Sequence, residues 1–200
     1  MTYELITALA GFALVTSITP GPNNLMLMAS GANFGFWRTL PHMLGIGVGF
    51  TFMIILVGFG LIQIFDAVPL SHTILKIVGV LYLLWLAWKI ANAGMPDTKK
   101  GGAKPMTFLQ AAAFQWVNPK AWQMALTAIT LYAPDRSTLA IVFVALIFGG
   151  INLPSVSTWT LMGQQLRRLV STPTRLRVFN ITMALLLVAS LYPVLYTAQV

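Results

Sequence analysis

Lys120 stands about 13 residues, or roughly 20 Å of helix, inside an apolar stretch that begins near Thr107. A lysine at that depth is costly to leave unsolvated and needs a partner. Around it the chain reads Gln115-Trp116-Val117-Asn118-Pro119-Lys120-Ala121-Trp122, so two amides and a proline accompany the charge. A second set, Ser17-Ile18-Thr19-Pro20-Gly21-Pro22-Asn23-Asn24, interrupts another apolar run between Leu5 and Met28. Pro20 and Pro22 withhold the amides that would bond the carbonyls of Thr16 and Ile18, and they push Thr19 and Gly21 off helical dihedrals. Pro22 and Pro119 can each open a new half-helix, with Gly21 and Asn118 as the N-caps. Such helix starts offer free amide donors and partial positive charge, which suits a carboxylate.

Glu4 lies at an end and Asp66, Asp97 and Asp135 lie in connections, so no acid is placed to pair with Lys120. A substrate carboxylate would fill that role. The competing partners are backbone carbonyls freed at Thr16, Ile18 or Gln115, and the bland account of the prolines is a pair of packing kinks. The candidate substrate and translocation residues are Pro20, Gly21, Pro22, Asn23, Asn24, Gln115, Asn118, Pro119 and Lys120. Asn152 joins them from a third stretch, Gly149-Gly150-Ile151-Asn152-Leu153-Pro154-Ser155, where another bend is expected. A structural hydrogen bond between helices is the other reading of Asn152.

The elements that must hold these residues are membrane helices. The chain is 58% hydrophobic and 8% charged, with a mean hydropathy of +0.81. That leaves too few polar side chains to coat a soluble globule. Apolar runs of the length that crosses a bilayer recur at about 4–31, 41–64, 72–94, 107–132, 138–162 and 178–197. The expected fold is an all-α integral membrane protein of six transmembrane helices, one transporter domain over residues 1–200. No lysine or arginine precedes Arg38, so the first run reads as a retained span rather than a cleaved leader. Zero cysteines exclude disulfides and thiolate metal sites.

The linker at about 95–106, with Pro96, Gly101, Gly102, Pro105 and three lysines, divides the chain into half-repeats of about 1–94 and 107–200. Aligning Pro22 with Pro119 sets Gly21 on Asn118 and Asn23 on Lys120. Three spans per half oblige the halves to run in opposite senses, so a 3+3 inverted repeat with proline-broken first and fourth helices is expected, its site near the midplane.

Charge sets the orientation. Arg38, Lys89, Lys99, Lys100, Lys104, Arg167, Arg168, Arg175 and Arg177 fall on one side, and only Lys76 and Arg136 on the other. The basic side is expected in the cytoplasm and both termini in the periplasm. The net charge of +8 therefore reports topology, not a nucleic-acid surface. Gly45 and Gly49 form a small-residue face for close helix packing. Tyr82, Trp85 and Trp88 fit an interfacial belt beside a snorkelling Lys89. His42, near the first basic connection, is a candidate proton relay, and His72 reads as a loop residue. No catalytic, metal or phosphate-binding constellation is present, so neither an enzyme nor a cofactor is expected.

Pro20-Gly21-Pro22-Asn23-Asn24, the glycine-rich span after Arg38–Pro41, Gly79-Val80-Leu81-Tyr82-Leu83-Leu84-Trp85-Leu86-Ala87-Trp88-Lys89, and Asn118-Pro119-Lys120-Ala121 together resemble the LysE/RhtB amino-acid exporter family. The resemblance covers almost the whole chain and leans to the RhtB-type branch, whose substrates include homoserine, threonine and cysteine or O-acetylserine. It implies export of an amino acid or derivative across the bacterial inner membrane, driven by the proton motive force, and it allows a homodimer. The branch that exports lysine and arginine carries acids in the second and fourth spans. Here those regions read Gly47-Val48-Gly49 and Trp122-Gln123-Met124, which favours a small neutral, zwitterionic substrate. The proton-carrying residue stays unassigned. A passive channel for small polar solutes is the competing function.

Overall fold

A computed structural model describes residues 2–61, 63, 67–68, 70–93, 104–167, 169–170 and 172–192. Among these residues the chain is helical throughout, with no strand. Helix α1 (Tyr3–Ile18) starts where the Thr2 hydroxyl accepts the Leu5 amide and stops at Thr19, whose extended backbone leads into the prolines. Helix α2 (Pro22–Phe34) resumes with Pro22 in the first turn and Gly21 as N-cap, at 55° to α1. Gly35, with φ of +81°, then turns the chain into α3 (Phe36–Gly58). That turn is pinned from across the molecule, the Phe36 amide donating to Gln164 Oε1 at 2.6 Å.

Helix α4 (Leu70–Ala91) follows. Helix α5 (Phe108–Phe114) opens with a reciprocal capping box between Thr107 and Gln110. It tightens into a 3₁₀ turn, Gln115–Val117, before Asn118 caps α6 (Pro119–Tyr132). The last two helices are α7 (Thr138–Leu166), started by Ser137, and α8 (Pro173–Ala189), started by Thr172.

Three of these helices, α3, α4 and α7, are long and apolar enough to cross a membrane, and the bent α1–α2 pair makes a fourth. The α5–α6 pair is a second helix broken at proline, and α8 is 17 residues long. An exposed apolar stripe on α4 (Ile74, Ile77, Val78, Leu81, Leu84, Trp85, Trp88) recurs every three or four residues. This is one lipid-facing side of a helix, where a soluble protein would carry polar groups. Lys89 Nζ lies 4.5 Å from the centre of the Trp85 ring, so the snorkelling lysine rests on the aromatic belt.

Two expectations shift. The second span starts at Phe36, with Pro41 inside the helix rather than at its head. A proline one turn in costs the single bond to Trp37 O, and Gly35 already supplies the start. The last helix begins at Pro173, so Arg175 and Arg177 belong to its first turns rather than to a loop. Helix α7 runs through Pro154 without a break, so the proline there withholds only the bond to the Gly150 carbonyl. Most of the linker, Asp66, Asp97, Lys99, Lys100, Arg168 and residues 193–200 lie outside the described residues, as does the side chain of His72.

Helix α7 is the central post, packed on α1, α2 and α3. A Cβ on Gly31 would strike the Thr160 carbonyl and one on Gly163 the Met28 carbonyl, so α2 and α7 meet backbone to backbone. The Gly45–Gly49 face does the same for α3 against α5: a Cβ on Gly49 would come 2.6 Å from Ala112 Cα. Phe12, Phe50 and Phe148 fill the space between α1, α3 and α7 with edge-to-face rings at 5.1 and 5.8 Å. These contacts bring the two breaks side by side.

Candidate functional site

Each break leaves carbonyls without helical amides, and side chains satisfy them, some from the same half and some from the other. At the first break Asn24 Nδ2 donates to the Ser17 and Thr19 carbonyls, both at 2.8 Å. The Thr19 hydroxyl donates to the Thr16 carbonyl, and Trp159 Nε1 of α7 donates to the Ile18 carbonyl at 3.1 Å. Lys120 reaches across from α6: its Nζ donates to Thr19 O at 2.8 Å, Thr19 Oγ1 at 3.0 Å and Pro20 O at 3.3 Å. An ammonium has three donors, so all of them are engaged. The carbonyl partner foreseen for Lys120 is thus present, at Thr19 and Pro20 rather than at Thr16, Ile18 or Gln115.

The second break closes on itself and on the first. Gln115 Nε2 donates to the Ala111 carbonyl, and Trp122 Nε1 to the Trp116 carbonyl. The Asn118 side chain accepts the Lys120 amide, which makes it the cap of α6. Asn23 and Gln115 exchange amide hydrogen bonds at 2.8 and 3.3 Å, joining the two breaks directly. Gly21 has an extended backbone that any residue adopts, but a Cβ there would sit 2.7 Å from Lys120 Cδ. Any side chain at this position would oblige the lysine stem to shift from its present path.

Between the breaks lies a cavity lined by Gly21, Asn23, Asn24, Gln115, Asn118, Lys120 and Asn152, with Thr16, Ser17, Phe50, Ala121, Met124 and Val156. Space open to the centre of a water molecule amounts to about 20 Å³, room for one or two waters and less than an amino acid needs. Asn152 donates to Ser17 Oγ at 3.1 Å, while its buried Oδ1 accepts from no described residue. Among the described residues no acid lines the cavity. Its walls therefore offer a cation on one side and an unfilled acceptor on another, the complement of a zwitterion.

The sequence-expected residues mostly converge here. Pro20 gives only its carbonyl, and Pro22 and Pro119 form the first turns of α2 and α6 without lining the cavity. Ser17, Thr19 and Trp159 were not foreseen as partners. Trp159 follows Asn152 by seven residues, the spacing that returns to the same helix face, which is the signal that marks it.

An α-helical membrane protein with two abutting helix breaks around a small cavity lined by amides and a lysine has the build of a transporter. Residues 14–190 match the family described as LysE type translocator, and the chain belongs to that family. It is 33% identical to the cysteine/O-acetylserine efflux protein of Escherichia coli strain K12 over 94% of this chain and 96% of the relative. The proteins of that name from Shigella sonnei strain Ss046 and Escherichia coli O9:H4 match to the same extent. No solved structure matches it.

Proposed function

We propose that this protein is a secondary transporter of the bacterial inner membrane that exports a small neutral amino acid or derivative, such as cysteine or O-acetylserine, from the cytoplasm. The observation that carries this reading is the cavity between the breaks, with the Lys120 ammonium on one wall and the buried, unpartnered Asn152 Oδ1 on another. The substrate carboxylate meets Lys120 and the free amides at the start of α2, and its ammonium meets Asn152. The acid-free lining disfavours a cationic side chain.

Lys120 also ties α6 to the α1–α2 break. A carboxylate is a stronger partner for an ammonium than neutral carbonyls are, so an arriving substrate draws Lys120 from Thr19 and Pro20. Binding thereby loosens the contact between the breaks, and the cavity must widen for the substrate to fit. This links occupancy to movement of six spans arranged as a 3+3 inverted repeat, with exchange powered by the proton motive force.

The test is export from loaded proteoliposomes against a panel of neutral, acidic and basic amino acids. Uphill movement of a neutral class that collapses with an uncoupler is expected. Equilibration that ignores the uncoupler would make the protein a passive channel, and movement of lysine or arginine alone would overturn the substrate class.

A further inference from the structure

A second cavity lies along α2 from the first. It is lined by Met26, Ser30, Asn33 and His42, together with Lys89 and Lys104. It holds about 80 Å³ of space open to water centres, room for several waters. Its lining is otherwise apolar, and Ser30 and Asn33 are already committed: Ser30 bonds Thr39, and Asn33 pairs with Asn180 and the Ala29 carbonyl.

His42 is the exception. It is 98% buried, being 2% exposed, and neither ring nitrogen has a partner among the described residues. An imidazole buried without hydrogen bonds is an uncompensated cost. Packing alone would be served better by leucine. An apolar pocket with one convergent, unfilled polar group is the usual form of a small-molecule site.

The two cavities share a helix face. Asn23, Met26, Ser30 and Asn33 succeed one another at three- and four-residue steps on α2, spanning about 15 Å. Asn23 lines the first cavity, Ser30 and Asn33 the second, and Met26, which also lines the second, belongs with Phe114 to one buried cluster.

We propose that the His42 cavity is an inward-facing antechamber that binds the exported amino acid before it reaches the broken helices, with Met26 and Phe114 as the barrier it must pass. The imidazole accepts from the substrate ammonium, and Lys104 attracts the carboxylate. The inference rests on the export reading, since it takes the substrate class and the cytoplasmic side from there.

The absence of native cysteine permits a direct test. Ala29→Cys places a thiol in the wall of the antechamber. In proteoliposomes of known orientation, a membrane-impermeant thiol reagent is supplied from the cytoplasmic face with and without O-acetylserine, and counterflow of labelled O-acetylserine is followed in the same vesicles. We expect O-acetylserine to slow labelling about tenfold, His42→Leu to abolish that protection, and His42→Gln, which keeps a hydrogen-bonding atom, to restore part of it. Protection should persist in Lys120→Met, which disables only the deeper site. Equal protection with and without the imidazole, or none in the parent, overturns the antechamber whether or not the vesicles transport. Protection without counterflow keeps the antechamber and sinks the export reading instead.

Discussion

At the scale of single residues, Lys120 does two jobs, and they separate experimentally. It satisfies the Thr19 and Pro20 carbonyls, and it presents the one cationic group in the wall of the cavity. Lys120→Met leaves two carbonyls unbonded by any charge, so we expect a loss of about 1–3 kcal/mol in thermal stability with the protein still folded. Export should fall at least about a hundredfold, because a charge-assisted bond to substrate disappears as well. A stable mutant that transports at the parent rate would remove Lys120 from the mechanism. Asn23 and Gln115 give a cleaner measure of how tightly the breaks are joined. Either leucine substitution alone deprives the other amide of its partner, whereas the double substitution removes both amides. The bond that Gln115 also gives the Ala111 carbonyl is lost in the Gln115 single and the double alike and cancels. The double mutant should therefore be more stable than the sum of the singles by about 1 kcal/mol, read from unfolding of all four variants. Strict additivity would mean that the two amides are independent.

At the scale of elements, the breaks were legible in the sequence because proline acts locally. Pro22 and Pro119 lack the amide whatever surrounds them, and Gly21 and Asn118 cap as their types suggest. The Gly45–Gly49 face was legible for a similar reason, since only small residues let helices touch. Three features were not. Pro41 and Pro154 sit inside continuous helices, each withholding a single bond, to Trp37 and to Gly150, that the remaining turns outweigh, which local sequence does not reveal. The partners of Lys120 and the role of Trp159 arise only when α6 and α7 are packed against the first break. The packing itself is testable by contrast. Gly49→Val would drive a side chain into Ala112 of α5 and should cost about 1–3 kcal/mol, displacing Gln115 at the far end of that short helix. A Cβ on Gly11 meets nothing within 4 Å, so Gly11→Ala should leave melting unchanged or raise it. Equal effects from the two would show that the α3–α5 contact is not tight.

For the whole molecule, the open question is which way each broken pair runs. Helices α5 and α6 with their 3₁₀ turn cover 108–132, long enough to cross if the break lies near mid-depth. The same break would equally let the pair enter and return on one side. The charge pattern favours a crossing. Lys104 lies with Lys99 and Lys100 in the connection expected on the basic side, and Asp135 and Arg136 in the charge-poor connection expected opposite, so the α5–α6 pair is expected to cross between them. A crossing is also what the inverted repeat needs, since α1 and α2 would cross in the opposite sense. Lys104→Cys and Asp135→Cys, each in the cysteine-free chain, should be labelled from opposite faces of intact cells by an impermeant thiol reagent. Thr2→Cys should label from the same face as Asp135→Cys, because an odd number of crossings separates each of them from Lys104. Labelling of residues 104 and 135 from one face would make the pair re-entrant, leave an odd total of spans and break the repeat. Lys120 would then still meet Thr19, but from a loop dipping into the bilayer rather than from the counterpart of the first helix.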